Sequence, residues 1–373
     1  VARKKTVQRA KTKLRRLGVL TAGGDCPGLN AVIRAVTKTA ILDHGIEVMG
    51  VEDGFQGLIE NRLHPLSYAD VSNILTTGGT ILGTSNTANP ARYAVTVRGK
   101  TEFQDVSHLV EANVRKHRLD GLVAIGGDGT MAIANHLRKR GMRIVGVPKT
   151  IDNDLPETDV TFGFNTAVTT ATEALDKVHT TAMSHHRVMI VEVMGRYAGW
   201  IALHAGVASG SDVILIPEIP FKLSSICRLV RARSSKGKRF SIIVVAEGAR
   251  AEGGEMVVAR REPKSTDPVR LGGVGNVVAG LITEMTGLEC RVTVLGHVQR
   301  GGTPTAFDRV LATQFGTHAV ELAVAGRFGR MVTYRNGHVT DTTMARATAG
   351  LKRVDPNGPL VRAARSVGTC FGD

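Results

Sequence analysis

No run of apolar residues in the 373-residue chain approaches the ~18–20 that a helix needs to cross a bilayer. No apolar leader core follows the basic start, so neither a membrane span nor a secretory signal is expected, and the reading is cytoplasmic. Cysteine is scarce: Cys26, Cys227, Cys290 and Cys370 are all there are, and no two stand in a C-x-x-C pair. That argues against a disulfide framework and a cysteine-held metal, and fits the reduced thiols of a cytosolic enzyme. Cys26 sits in a glycine loop and is read as a small filler. There is no internal repeat at a period of about 20–50 residues, and no low-complexity tract beyond the first residues.

Acidic residues are missing from residues 1–16, where Arg3, Lys4, Lys5, Arg9, Lys11, Lys13, Arg15 and Arg16 stand unopposed. Removing those eight charges from the net +15 leaves +7 for the rest. Such an arm could touch an anionic surface, but it has no aromatic residue to stack on bases. It is read as a disordered extension ahead of the fold, with no nucleic-acid partner expected. The body's moderate excess suits an enzyme with anionic substrates. Apolar residues at 42% and charged residues at 22% are the composition of a soluble globular chain.

What the sequence has in quantity is glycine, 43 residues, gathered where apolar runs end. LGVL (17–20) leads into TAGGDCPG, GLVAI (121–125) into GGDGT, and RIVGV (143–147) into PKTIDND. IEVMGV (46–51), RVMIVEV (187–193), VILI (213–216), SIIVVA (241–246) and RVTVLG (291–296) follow the same style. Short apolar runs alternating with helical stretches predict parallel sheets covered by helices. In such folds ligands bind beyond the carboxyl ends of the strands. MVTYRNGHVTDT reads as a hairpin turning at Asn336-Gly337.

TAGGDCPG has neither the lysine of a Walker loop nor the spacing of GxGxxG. Its glycines could bring backbone N–H groups to a phosphate, or could simply form a tight turn. GGDGT (126–130) says more. Gly126, Gly127 and Gly129 allow close backbone approach, Thr130 opens a helix, and Asp128 offers one carboxylate to Mg²⁺, which usually completes its shell with phosphate oxygens and water. TIDND (150–154), directly after Lys149, adds a hydroxyl and two acids. If the strands 121–125 and 143–147 are parallel neighbours, Asp128 and Asp152 share a sheet edge, one for metal and one for the acceptor.

In LTAGGDCPGLNAVIR, GGTILG, GGDGT, TIDND, VEVMGRYAG, AEGA and RVTVLGHVQRGGTPTAFDR the chain resembles the phosphofructokinases, in the family's order from residue 17 to about 325. The resemblance implies two doubly wound α/β domains with the active site in the cleft between them. Residues 17–163 plus 299–349 would form the phosphate-donor and Mg²⁺ domain, and 164–298 plus 350–373 the fructose 6-phosphate domain. Asp152 resembles the general base on the sugar 1-hydroxyl, acting by position more than basicity because Lys149 beside it should lower its pKa. Thr150 and Arg196 resemble groups that steady the transferring phosphoryl, and Asp154 a supporting acid. Gly24, Gly127, Asp128, Gly129, Thr130 and Lys149 would meet the donor phosphates and Mg²⁺. Met194, Gly195, Arg196, Glu247, His297 and Arg300 match the sugar-phosphate site of one subunit. Arg187 and Arg291 match arginines reaching that site from a neighbour, which implies a homodimer or homotetramer.

For the donor, Gly129 matches family members that use ATP and Lys149 those that use pyrophosphate, with Asn86 and Ile133 departing from common ATP-site residues. ATP is the expected donor and pyrophosphate the alternative. Among basic residues resembling the family's effector site, Arg34, Arg62, Lys236 and Lys238 are kept, while Lys38 and His179 replace arginines; allostery is expected to be weak or altered. A NAD- or lipid-kinase relative would share GGDGT but has no use for TIDND or GHVQRGG. A non-catalytic regulatory paralogue is opposed by intact Asp128, Asp152 and Arg196.

Overall fold

The computed structural model describes residues 14–97, 99–261 and 269–373; residues 1–13 of the basic arm lie outside them. In chain order the strands are β1 (Arg16–Thr21), β2 (Glu47–Val51), β3 (Leu63–Leu66), β4 (Tyr93–Val97), β5 (Lys100–Gln104), β6 (Gly121–Gly126), β7 (Ile144–Pro148), β8 (Val188–Val193), β9 (Val213–Leu215), β10 (Ser241–Ala246), β11 (Val258–Arg261), β12 (Val269–Leu271), β13 (Cys290–Val294), β14 (Arg330–Arg335) and β15 (His338–Thr343). β6, β7, β8 and β10 are buried along their whole length. That is why their sequences are mostly Val, Ile, Leu, Ala and Gly rather than alternating with polar residues: both faces of the sheet are covered.

Two sheets carry the fold. The first runs β15-β14-β7-β6-β1-β2-β3 and the second β13-β8-β10-β9. From β1 the chain builds outward to β2 and β3, then crosses to the other side of β1 for β6 and β7. The order therefore reverses between β1 and β6. In the second sheet β9 and β10 lie on one side of β8 and β13 on the other, so the reversal falls between β8 and β13. Loops leaving such a pair in opposite directions open a crevice at the strands' carboxyl ends. The glycine loops after β1 and β6 border one crevice; the segments after β8 and β13 border the other. β6 and β7 are parallel, with Leu122 opposite Ile144 and Gly126 opposite Pro148, as the shared sheet edge for Asp128 and Asp152 requires.

The halves are tied by buried polar contacts. Asp308, opening the helix Ala306–Val324, accepts from the backbone N–H of Thr166 at 2.8 Å and its hydroxyl at 2.5 Å, and so holds the start of the helix Phe164–His185. The C-terminal tail returns to the second sheet, where Ile214 donates to the Cys370 carbonyl at 2.9 Å. The β14–β15 hairpin turns at Asn336 (φ 51°) and Gly337 (φ 81°), the paired positive φ of a type I′ turn.

Composition misjudged where the fold begins. Leu14 is buried in the core, Arg15 and Arg16 donate their backbone N–H groups to Asp120 at 2.6 and 2.9 Å, and β1 starts at Arg16. The last residues of the basic run belong to the sheet.

Candidate active site

Among the described residues the site grows from the ends of six strands. After β1, Gly24 lies against Arg300: a Cβ there would sit 2.6 Å from Nη1 of that arginine. Arg300 donates through Nη1 to the Asp25 carbonyl at 3.0 Å, so the turn after β13 reaches across to the loop after β1. After β6, Gly127 caps the helix Asp128–Lys139 in extended conformation. Asp128 is exposed, Gly129 half-buried and Thr130 buried, with the Thr130 hydroxyl turned toward Gly23. An acid in the first turn sits well against the positive end of the helix dipole.

After β7 the geometry tightens. Lys149 is 3% exposed, and its ammonium donates to the Gly24 carbonyl; burial pushes its pKa down. Thr150 Oγ1 accepts from Asp152 N at 3.0 Å, and Thr150 O accepts from the Thr161 hydroxyl at 2.7 Å. Asn153 stands between the two acids with φ 52°, a conformation Asn tolerates better than most residues. Asp152 Oδ1 is sealed from solvent with no hydrogen-bond partner among the described residues.

Burial raises the pKa of Asp152 against the pull of Arg300 and Arg196. This overturns the sequence expectation of a lowered pKa beside Lys149. Desolvation of the carboxylate outweighs the neighbouring cation, whose amine is directed at Gly24. Asp154 is pushed up to about 7, by burial first and then by the charges of Asp152 and Asp128. A cation brought here would offset the repulsion that Asp154 feels from Asp152 and Asp128. No group of three or more His, Cys, Asp or Glu among the described residues could cage one. The set fits Mg²⁺ held by one protein carboxylate and donor oxygens.

The second sheet brings Met194, Gly195 (φ 137°) and Arg196 after β8, and Glu247 after β10. His297 (exposed) and Arg300 lie in the 3-10 turn Gly296–Arg300 after β13. Glu247 is pushed up to about 7 by burial and next by the charge of Asp152, against Arg196 and Arg300. The influence of Asp152 shows Glu247 to be near the loop that follows β7. Cys26 is buried and its thiol is pushed up to about 12, mainly by desolvation, so it is a filler, as expected.

Arg187 and Arg291 are not brought to this site. They stand at the amino ends of β8 and β13, where Arg187 Nε lies 2.9 Å from Glu289 Oε2 and Arg291 pairs with the same carboxylate. A six-residue strand is roughly 20 Å long, beyond an arginine's reach. The residues that sequence reasoning missed are Asn153, Asp25 and Lys352; their roles rest on carbonyls and on contacts between distant segments, which no motif spacing reports.

The family model described as Phosphofructokinase matches residues 16–323. The chain is 51% identical over 365 residues to ATP-dependent 6-phosphofructokinase 2 of Clostridium perfringens, covering 96% of this chain and 99% of the relative. It is 52% identical over 341 residues to the pyrophosphate--fructose 6-phosphate 1-phosphotransferase of Amycolatopsis methanolica, covering 91% and 96%. Phosphofructokinase from Saccharomyces cerevisiae superimposes with TM-score 0.76 at 30% identity, over 95% of this chain and 47% of that longer one. A pyrophosphate-dependent phosphofructokinase from Nitrosospira multiformis superimposes at 0.79 with 23% identity, covering 96% and 93%, a likeness of fold. By its motifs, its sheet order and this extent of matching, the chain belongs to the phosphofructokinase family.

Proposed function

We propose that the chain transfers the γ-phosphoryl group of Mg-ATP to the 1-hydroxyl of fructose 6-phosphate, giving fructose 1,6-bisphosphate. The observation that carries this reading is the convergence of exposed Asp128, shielded Asp152 and Asp154, and the cations Arg196 and Arg300. Asp152 accepts the hydroxyl proton as the oxygen attacks. Its raised pKa makes it a stronger base than an ordinary aspartate, which suits a proton acceptor working near neutrality. Arg196 and Thr150 offset charge on the phosphoryl in flight, where positioning and electrostatics supply most of the rate. Gly24, Gly127, Gly129, Thr130 and Lys149 line the donor phosphates. Met194, Gly195, Glu247, His297 and Arg300 hold the sugar phosphate. Asp128 would hold Mg²⁺, which when bound neutralises donor phosphate charge.

Relatives of nearly equal identity are named for ATP and for pyrophosphate, so the donor reading rests on residues. Gly129 brings no side chain and no charge to the helix start, whereas Lys149 spends its ammonium on the Gly24 carbonyl inside the protein. Position 129 therefore weighs more, and ATP is favoured. Arg187 and Arg291 support a homodimer or larger homo-oligomer in which they complete a neighbour's site. Three of the six residues resembling an effector site are engaged within the chain: Arg62 pairs with Glu52, Asp53 and Glu60, Lys38 lies 3.8 Å over the Tyr68 ring, and His179 packs edge-on against Phe240. Weak effector response follows. The test is a coupled assay of purified protein with fructose 6-phosphate and either MgATP or pyrophosphate, alongside sizing by analytical ultracentrifugation. Turnover with pyrophosphate alone would overturn the donor, and an active monomer the shared site.

A further inference from the structure

The segment that follows the first sheet crosses directly behind the base loop. Lys352 lies outside the family-matched stretch 16–323, yet its ammonium finds three acceptors: Asn153 Oδ1, Thr158 O and Asp159 O, each at 2.9 Å. An ammonium has three donors, so every one is used. Its backbone N–H donates to the Asp154 carbonyl at 2.7 Å. Asn153 Oδ1 also accepts from Thr161 N at 3.1 Å, so the residue between the two acids is gripped from both sides.

The other face of the same segment is fastened to the sugar-side half. Trp200 Nε1 donates to the Lys352 carbonyl at 2.9 Å, and the ammonium lies 5.6 Å from the centre of the Trp200 ring. Glu218 accepts from Val354 N at 2.8 Å and from Gly199 N at 3.0 Å. Gly199 and Trp200 begin the helix that follows Met194–Gly195–Arg196. One unbroken line of hydrogen bonds thus runs from the sugar-side loop, through Glu218 and the tail, to the residues flanking Asp152.

We propose that Lys352 is a positioning residue that fixes the TIDND loop relative to the sugar site, acting on turnover through Asn153 and the backbone of Asp154. Fixing a base to within a fraction of an ångström belongs to the orientation part of catalysis, where a displacement of about 1 Å can cost about a hundredfold. A side chain that only stiffened the fold would change stability without separating kcat from KM.

The inference rests on Asp152 being the base, so Asp152→Asn is assayed beside the test variants. In Lys352→Met, kcat is expected to fall about 10- to 100-fold, with KM for both substrates within about threefold of wild type, measured well below each variant's melting temperature. Asn153→Gly, which keeps the positive φ of that position, removes the same bond from its other end, should fall comparably, and decides the matter if Lys352→Met does not fold. The double variant should be no slower than the slower single one, because both break one linkage. A kcat for either variant within about twofold of wild type, or losses that multiply in the double variant, overturns the positioning role. Loss in Asp152→Asn without loss in Lys352→Met sinks this inference alone; full turnover in Asp152→Asn sinks the base reading with it.

Discussion

The loops after β6 and β7 leave neighbouring parallel strands at the same sheet edge, and each presents acid, yet they are built oppositely. The first is made of glycine and a helix start, with Asp128 exposed. In the second, Asp152 and Asp154 are half-buried with their pKa values raised, and Asn153 is anchored from both sides. An open carboxylate at a glycine-lined helix start suits a hydrated cation that arrives with its phosphate and keeps several waters. A shielded carboxylate on a braced loop suits a proton that must move at one moment and in one direction. Adjacent strands thus deliver the same functional group into two environments, and the difference lies in what surrounds it.

The strongest way to break the contrast is to neutralise each acid in turn. Asp152→Asn is expected to lower kcat by about a thousandfold or more, with fructose 6-phosphate affinity nearly kept, since the base acts in the transition state. Asp128→Asn should instead lower activity in a way that raising Mg²⁺ partly restores. Equal Mg²⁺ titrations for the two variants would show that the loops do not divide the work. Next in size is the donor. Gly129→Asp should suppress ATP turnover far more than Lys149→Gly does, through like charge and lost space beside the phosphates. If Lys149→Gly is the more damaging to ATP use at matched stability, the first loop does not decide the donor.

A smaller effect sharpens the electrostatic side. Glu247 has a folded pKa of about 7 against an ordinary 4.5. Between those values the folded protein binds more protons than the unfolded chain, so stability from this group falls as pH rises from about 4.5 through about 7. Glu247→Gln should therefore gain melting temperature relative to wild type as pH goes from 5 to 8, by a few degrees in the ligand-free enzyme. A constant difference across that range would mean the carboxylate ionises normally. The smallest effect is expected at the amino end. Removing residues 1–13 should leave kcat and KM unchanged, whereas removing 1–16 should lower stability, because it takes Leu14 from the core and the Arg16–Glu47 pair from β1.

Those truncations mark where the sequence could be read and where it could not. The buried parallel strands announced themselves as mostly apolar runs, and the loops between them by glycine. β4 and β5 did not: Lys100–Gln104 is exposed throughout, so that hairpin has no buried face to impose a pattern. The boundary of the basic arm was misread because counting charge cannot see the backbone of Arg15 reaching a carboxylate 105 residues away. Within the site, residue types and order located the acids, but the direction of Asp152's shift depended on burial, which adjacency to Lys149 did not reveal. The grip of Lys352 on Asn153 joins positions 199 apart and leaves no local trace.

The placement of Arg187 and Arg291 at the far ends of β8 and β13 carries a consequence for inheritance as much as for chemistry. If they complete a neighbour's site, two different defective copies of this gene can mend one another. Co-expressed Asp152→Asn and Arg187→Ala chains would assemble, at some interfaces, one site having both the wild-type aspartate and the wild-type arginine, while its twin carries both lesions. Activity would then reappear in a mixture of chains that are each inactive alone, and a single impaired allele would be masked or exposed according to which chain it is paired with.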